Sequence, residues 1–273
     1  MEHNCDPFPE TLSGKRTPLL LAGLLTGFIS AFFGIGGGIV LVPMLTLGFR
    51  MPPLIAAGTS LGVIMFIAGT GMAGDLINGQ PAYQPALLAA LLIAPFSVLA
   101  ARRVVRLAHK VPTVLLRRAF ALLLLLGAAK NFGWIGTSGE GMGFLLYREP
   151  SLALFLVLPL LGVLVGGIAA LLGVGGGVLL VPGLDLLFKD LLLTQCRATS
   201  LLIVVPVAFF GYHRHLEQGT AHWRTVRTLV PPCVLGAVLG VLVVHHVSVS
   251  GFRVGFGVLL TLVGVKLYLT ARR

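Results

Sequence analysis

With 273 residues, of which 56% are hydrophobic and only 11% charged, and a mean hydropathy of +0.98, the chain has too little polar surface to coat a soluble globule. It reads as an integral membrane protein, and its formal charge of +11 is explained by Lys and Arg held between apolar spans rather than by nucleic acid. Cys5, Cys196 and Cys233 are odd in number and scattered, so they make neither a disulfide framework nor a metal spacing.

The first apolar stretch runs from about residue 18 to 48 and contains the run GFISAFFGIGGGIVLVP, Gly27 to Pro43. Lys15 and Arg16 precede it as in a secretory signal, but no A-x-A cleavage site follows, so the segment is read as part of the mature protein. Further stretches follow at about 53 to 72, 83 to 101 and 113 to 130, and the glycine-rich, mixed-polarity segment from Asn131 to Glu149 reads as an exposed linker. The next stretch, about 150 to 188, carries GGIAALLGVGGGVLLVP, Gly166 to Pro182, and is followed by stretches at about 194 to 212, 229 to 248 and 252 to 270. Most are near the roughly 20 residues that a helix needs to cross a bilayer. The first and fifth are too long for one simple span, and both hold the glycine run.

The duplication extends beyond the glycines. Gly58-Thr59-Ser60-Leu61 matches Ala198-Thr199-Ser200-Leu201, Gly79 matches Gly219, Pro95 matches Pro231, Phe120 matches Phe256 and Lys130 matches Lys266. The expected organisation is a first membrane repeat over 1–130, the linker over 131–149 and a second repeat over 150–273. If each overlong segment crossed once, Lys and Arg would divide ten against nine across the membrane. If each folds back at its glycines, Lys15, Arg16, Arg50, the six from Arg102 to Arg118, Arg214, Arg224, Arg227, Arg272 and Arg273 lie inside, against Lys130, Arg148, Lys189, Arg197 and Arg253 outside. Fourteen against five satisfies the positive-inside rule. The predicted fold is therefore an all-α polytopic membrane protein of two inverted repeats, each with a glycine-broken helical hairpin plus three further transmembrane helices. Both termini are expected on the cytoplasmic side of the cell membrane.

A glycine triplet at membrane depth leaves backbone N–H groups unpaired, so the break must be buried or face a water-filled cavity. A short helix beginning at Gly38 or Gly177 points its N-terminus there and favours an anion. The candidate substrate site is Gly36, Gly37 and Gly38 with Gly175, Gly176 and Gly177. Thr59, Ser60, Thr199 and Ser200 are candidate hydroxyl donors, with helix capping or bonding back to a carbonyl as the equal alternative. Arg197 is a candidate for attracting the anion at the outer mouth, and the first repeat has Ala57 in its place. Asp75, Glu217, His213 and His215 are expected in loops, with no carboxylate inside a span and hence no buried proton relay. His245 and His246 read as solvated.

No HExxH, carboxylate pair or activated nucleophile is present, and GIGGG lacks the strand and acidic residue of a dinucleotide fold. The expectation is a protein without catalytic residues, metal or cofactor. The paired motifs GIGGGIVLVP and GVGGGVLLVP, each followed by a Thr-Ser-Leu element, resemble the TauE/SafE (TSUP) family, often described as exporters of sulfite or organosulfur anions, over essentially the whole chain. That resemblance implies transport of small sulfur-containing or carboxylate anions, such as sulfite or sulfoacetate, across the cytoplasmic membrane. The expected function is secondary transport by alternating access, with proton or sodium as the possible coupling ion and a passive anion channel as the alternative.

Overall fold

The computed structural model describes residues 16–77, 83–107, 113–134, 152–188 and 191–270. Most of the expected linker lies outside these residues. The described elements are helical: α1 (Arg16–Phe33), α2 (Gly38–Pro43) continued by a π-helical turn (Met44–Gly48), α3 (Pro53–Ile77), α4 (Tyr83–Leu107) and α5 (Thr113–Asn131), then α6 (Leu152–Leu172), α7 (Gly177–Leu187), α8 (Leu193–Glu217), α9 (Trp223–Val244) and α10 (Val249–Thr270). Four of them, α3, α8, α9 and all but the last residue of α10, are long and apolar enough to cross a bilayer. Large apolar side chains lie exposed along helix faces, as Leu156, Leu160 and Leu164 do at four-residue spacing on α6. Such a stripe would aggregate in water and is at home against lipid.

Both overlong segments break where the glycines stand. Gly34, Gly36 and Gly37 have φ of 70°, 77° and 72°, and Gly173, Gly175 and Gly176 have 66°, 77° and 83°. Left-handed backbone at three of four consecutive positions excludes most side chains and ends α1 and α6. The short helices then start at Gly38 and Gly177, as the sequence led us to expect. Pro43 sits at the sixth position of α2 and Pro182 at the sixth of α7. Neither can donate a helical N–H; α2 passes into the π-helical turn directly after Pro43, whereas α7 continues through Pro182.

The most extensive helix contacts map onto one another when the halves are exchanged. Helix α1 lies along α9 as α6 lies along α4, α3 packs on α9 as α8 packs on α4, and α3·α8 and α5·α10 pair across the halves. Small residues permit this closeness: a Cβ on Gly27 would sit 1.9 Å from the Cys233 carbonyl oxygen, and one on its repeat partner Gly166 would sit 2.0 Å from that of Ser97. Lipid supplies no hydrophobic drive between helices, so backbone approach of this kind carries the association. Helices α3 and α8 occupy the centre, and their buried faces carry Thr59, Ser60, Thr199 and Ser200.

One connecting segment adds a titratable cap. His222 precedes α9, and its Nδ1 accepts from the Thr225 N–H and lies 2.8 Å from Thr225 Oγ1. Burial, and then the Arg224 charge, pull its pKa below the ordinary value near 6.5. A protonated ring cannot accept, so this cap stabilises the fold fully above about pH 6.5 and is lost as pH falls toward the lowered folded value. Thermal unfolding in detergent should show the His222→Asn variant, which caps at every pH, losing less stability between pH 7 and 5 than the wild type. Identical pH slopes would discount the cap.

Candidate functional site

The two glycine breaks meet each other in the middle of the bundle. A Cβ on Gly38 would lie 2.3 Å from the Gly173 carbonyl oxygen, and one on Gly177 would lie 2.7 Å from that of Gly34. All ten residues Gly34–Gly38 and Gly173–Gly177 are buried. The first N–H groups of an α-helix have no acceptor within it, and here both helix starts face the opposing break.

The hydroxyls complete this crossing reciprocally. Ser60 Oγ, on α3, lies 2.6 Å from the Gly173 carbonyl oxygen and 2.8 Å from that of Ala57. Ser200 Oγ, on α8, donates to the Gly34 carbonyl oxygen at 2.8 Å. Each half thus satisfies a carbonyl that the other half's break leaves open. Thr199 bonds back to the Gln195 carbonyl, and Thr59 Oγ1 accepts from the His222 N–H. The structure brings Gly36, Gly37, Gly38, Gly175, Gly176, Gly177, Ser60 and Ser200 into one buried cluster, with Thr59 and Thr199 beside it on the central helices. Two polar atoms near the first break are buried with no hydrogen-bond partner, Ser30 Oγ and Arg197 Nη2. Ser30 Oγ is 3.1 Å from where a Gly37 Cβ would stand, whereas the matching Gly176 faces the apolar Val165 and Ala169.

Three sequence expectations are corrected. Arg197 is not at an outer mouth: it is 3% exposed, its Nε donates to the Ala31 and Phe32 carbonyls at 3.1 and 3.0 Å, and its Nη1 contacts both Asp75 oxygens at 3.0 and 2.9 Å. Asp75 is not in a loop but in the last turn of α3, 1% exposed. Carboxylates do therefore lie inside the bundle; the second is Asp185 of α7, paired with Lys130 of α5 at 2.9 Å. The apolar run ended near residue 72, but the helix continues to Ile77, and a charged side chain three residues past the end of an apolar run reads as solvated unless its partner is known. His215 is also buried within α8, with Nδ1 against Thr220 Oγ1 at 2.8 Å and Nε2 near the Ala170 carbonyl. His245 Nε2 lies 3.6 Å from Asp75 Oδ1. His213 and Glu217 are exposed, but on the last turns of α8 rather than in the loop expected of them.

Repeat alignment could have flagged this asymmetry. Asp75 matches His215, Arg197 matches Ala57 and Ala31 matches Ala170, so the carbonyl at the end of α1 is served by an Arg–Asp pair and that at the end of α6 by a histidine. About 25 Å from Arg197 along α8, at 1.5 Å per residue, a cavity of about 270 Å³ lies where α4 and α8 end, lined by Arg102, Phe210, His213, Arg214 and Glu217. Arg102 stacks over the Phe210 ring at 4.8 Å.

A helical membrane protein with two broken helices meeting at its centre is the architecture of a transporter, and the comparisons agree. The family model described as sulfite exporter TauE/SafE matches residues 4–131 and 158–273, and the chain belongs to that family. The probable membrane transporter protein YunE of Bacillus subtilis is 28% identical over 270 residues, 91% of this chain and 96% of its own. The probable membrane transporter protein YdhB of the same organism is 22% identical over 222 residues, 81% and 87% of the two chains. A probable membrane transporter protein of Haemophilus influenzae is 45% identical over 51 residues, 18% and 19% of the two chains. No solved structure matches. The chain is a multi-pass membrane transporter.

Proposed function

We propose that this transporter moves a small sulfur-containing oxyanion, of the class of sulfite and sulfoacetate, across the cytoplasmic membrane by alternating access, with its two repeats inverted and both termini cytoplasmic. The observation that carries the reading is the meeting of the two glycine breaks with unpartnered polar atoms, Ser30 Oγ and Arg197 Nη2, buried beside one of them. On this reading the backbone N–H groups at Gly36, Gly37, Gly38, Gly175, Gly176 and Gly177 hold the anion's oxygens. Thr59, Ser60, Thr199 and Ser200 lend hydroxyls, and Arg197 lends its charge. Ser60 and Ser200 have to turn from the carbonyls that they now serve, so binding and separation of the breaks are one event. Direct contact between the breaks supports movement of the halves over a standing pore. The cavity near Arg102, where Arg214 is paired with Glu217 and Arg102 is left as the excess positive charge, would raise the local anion concentration at one mouth.

Full-length protein in lipid vesicles should show saturable uptake of labelled sulfite, sulfoacetate or thiosulfate above protein-free vesicles. Absence of saturable uptake for all three would sink the proposal. Single-channel currents would replace it with a passive anion channel.

A further inference from the structure

A buried ion pair at membrane depth is expensive, because desolvating two charges rivals the Coulombic gain. The Asp75–Arg197 pair is therefore a place to look for function. It joins three elements: Arg197 comes from α8, Asp75 from α3, and the carbonyls of Ala31 and Phe32 from the last turn of α1. A Cβ on Gly34 would lie 2.6 Å from Arg197 Cγ, so the arginine borders the first glycine break. Nε and Nη1 are engaged, while Nη2 is buried with no partner.

We infer that Asp75 is the proton site of this transporter, an internal carboxylate that holds Arg197 until the transported anion replaces it. The inference rests on the anion-transport reading above. When an oxyanion pairs with Arg197, Asp75 loses its counter-charge and takes up one proton as a neutral acid. The Asp75 carboxylate gives up the arginine to an oxygen of the anion, and its own single charge is neutralised by the one proton that enters with the anion. His245, at the end of α9 and 18% exposed, lies between Asp75 and the surface and supplies the proton's way in.

The surroundings of Asp75 fit this exchange. From α8 it meets Arg197, and Leu201 packs on the neighbouring Gly71; from α9 it meets His245, and Val241 packs on Gly74; from α1 the carbonyls of Ala31 and Phe32 share its arginine. The other charges near this end of α8, Lys130 and Asp185, are within electrostatic reach of Cys196 but pair with each other. The repeat-related positions, Ala57 and His215, hold neither an arginine nor an acid, so the second half does not repeat the device. Its stoichiometry is one proton per anion.

Equilibrium binding of sulfoacetate and of thiosulfate to the detergent-solubilised full chain, followed from pH 5 to 9, tests this. Wild-type affinity should fall about tenfold per pH unit on the alkaline side, the linkage of a single proton. The Asp75→Asn variant, in which a neutral side chain holds Arg197 less strongly than a carboxylate and has no proton to take up, should bind without pH dependence and more tightly than wild type at pH 9. A flat wild-type profile overturns the inference, as does an Asp75→Asn variant that keeps the wild-type slope or no longer binds. Failure of the wild type to bind or transport any of the anions would remove the transport reading itself, whereas uptake with a flat profile would remove only the proton.

Discussion

Replacing Gly38 with alanine should abolish uptake and lower the stability of the whole bundle. The added methyl would lie 2.3 Å from the Gly173 carbonyl oxygen and 2.4 Å from the Val174 Cα, both backbone atoms that cannot rotate away. Overpacking of flexible surroundings costs about 1–3 kcal/mol, and a backbone obstacle belongs at or beyond the upper end. Gly177→Ala meets the Gly34 carbonyl oxygen and Ile35 at 2.7 Å and should behave alike. The control is Gly69→Ala, at a helical position of α3 with nothing within 4 Å, where alanine should add about 0.5–1 kcal/mol of helix stability. Thermal unfolding in detergent and vesicle uptake measure both effects. Wild-type uptake by Gly38→Ala would show that the breaks do not meet as described.

Arg197→Ala should be the most damaging single change on α8. It leaves Asp75, 1% exposed, without its counter-charge and removes the donor to the Ala31 and Phe32 carbonyls. Removing one partner of a buried pair costs about 3–5 kcal/mol, a fall of about 6–20 °C in unfolding temperature for a chain of this size. The double variant Arg197→Ala/Asp75→Asn removes the stranded charge and should regain part of that loss. A double variant no more stable than Arg197→Ala would mean that the lost carbonyl donor, not the stranded carboxylate, dominates. Asp75→Asn alone should cost less, since the asparagine oxygen still accepts from Arg197 and the guanidinium keeps its two carbonyls.

The elements that could be read from the sequence are those set by local backbone chemistry and by duplication. The breaks at the glycine runs, the starts of the short helices at Gly38 and Gly177 and the order of the spans follow from residues close together in the chain. The role of the hydroxyls was open, because Ser60 can bond within its own helix or across to Gly173, 113 residues away, and it does both. What stayed hidden was long-range charge pairing. Asp75 and Arg197 are 122 residues apart, and each alone looks like an ordinary polar residue at the edge of an apolar run. His215 was misplaced for the same reason: hydropathy falls off at residue 212, while the helix goes on to Glu217. Ser30 carries no signal of its own within α1 and becomes distinct only when set against Ala169, its counterpart in the other repeat.

The exchange of hydrogen bonds between the halves bears on how the chain is made. Once α1 has entered the bilayer, the Gly34 carbonyl awaits a hydroxyl on α8, and the Ala31 and Phe32 carbonyls await Arg197 on the same helix. Until α8 has been synthesised, the nascent first repeat carries open backbone acceptors at membrane depth, where each costs several kcal/mol. Biogenesis is then a delayed closure: the first repeat waits, partly finished and dependent on the insertion machinery for shelter, for the second to complete it.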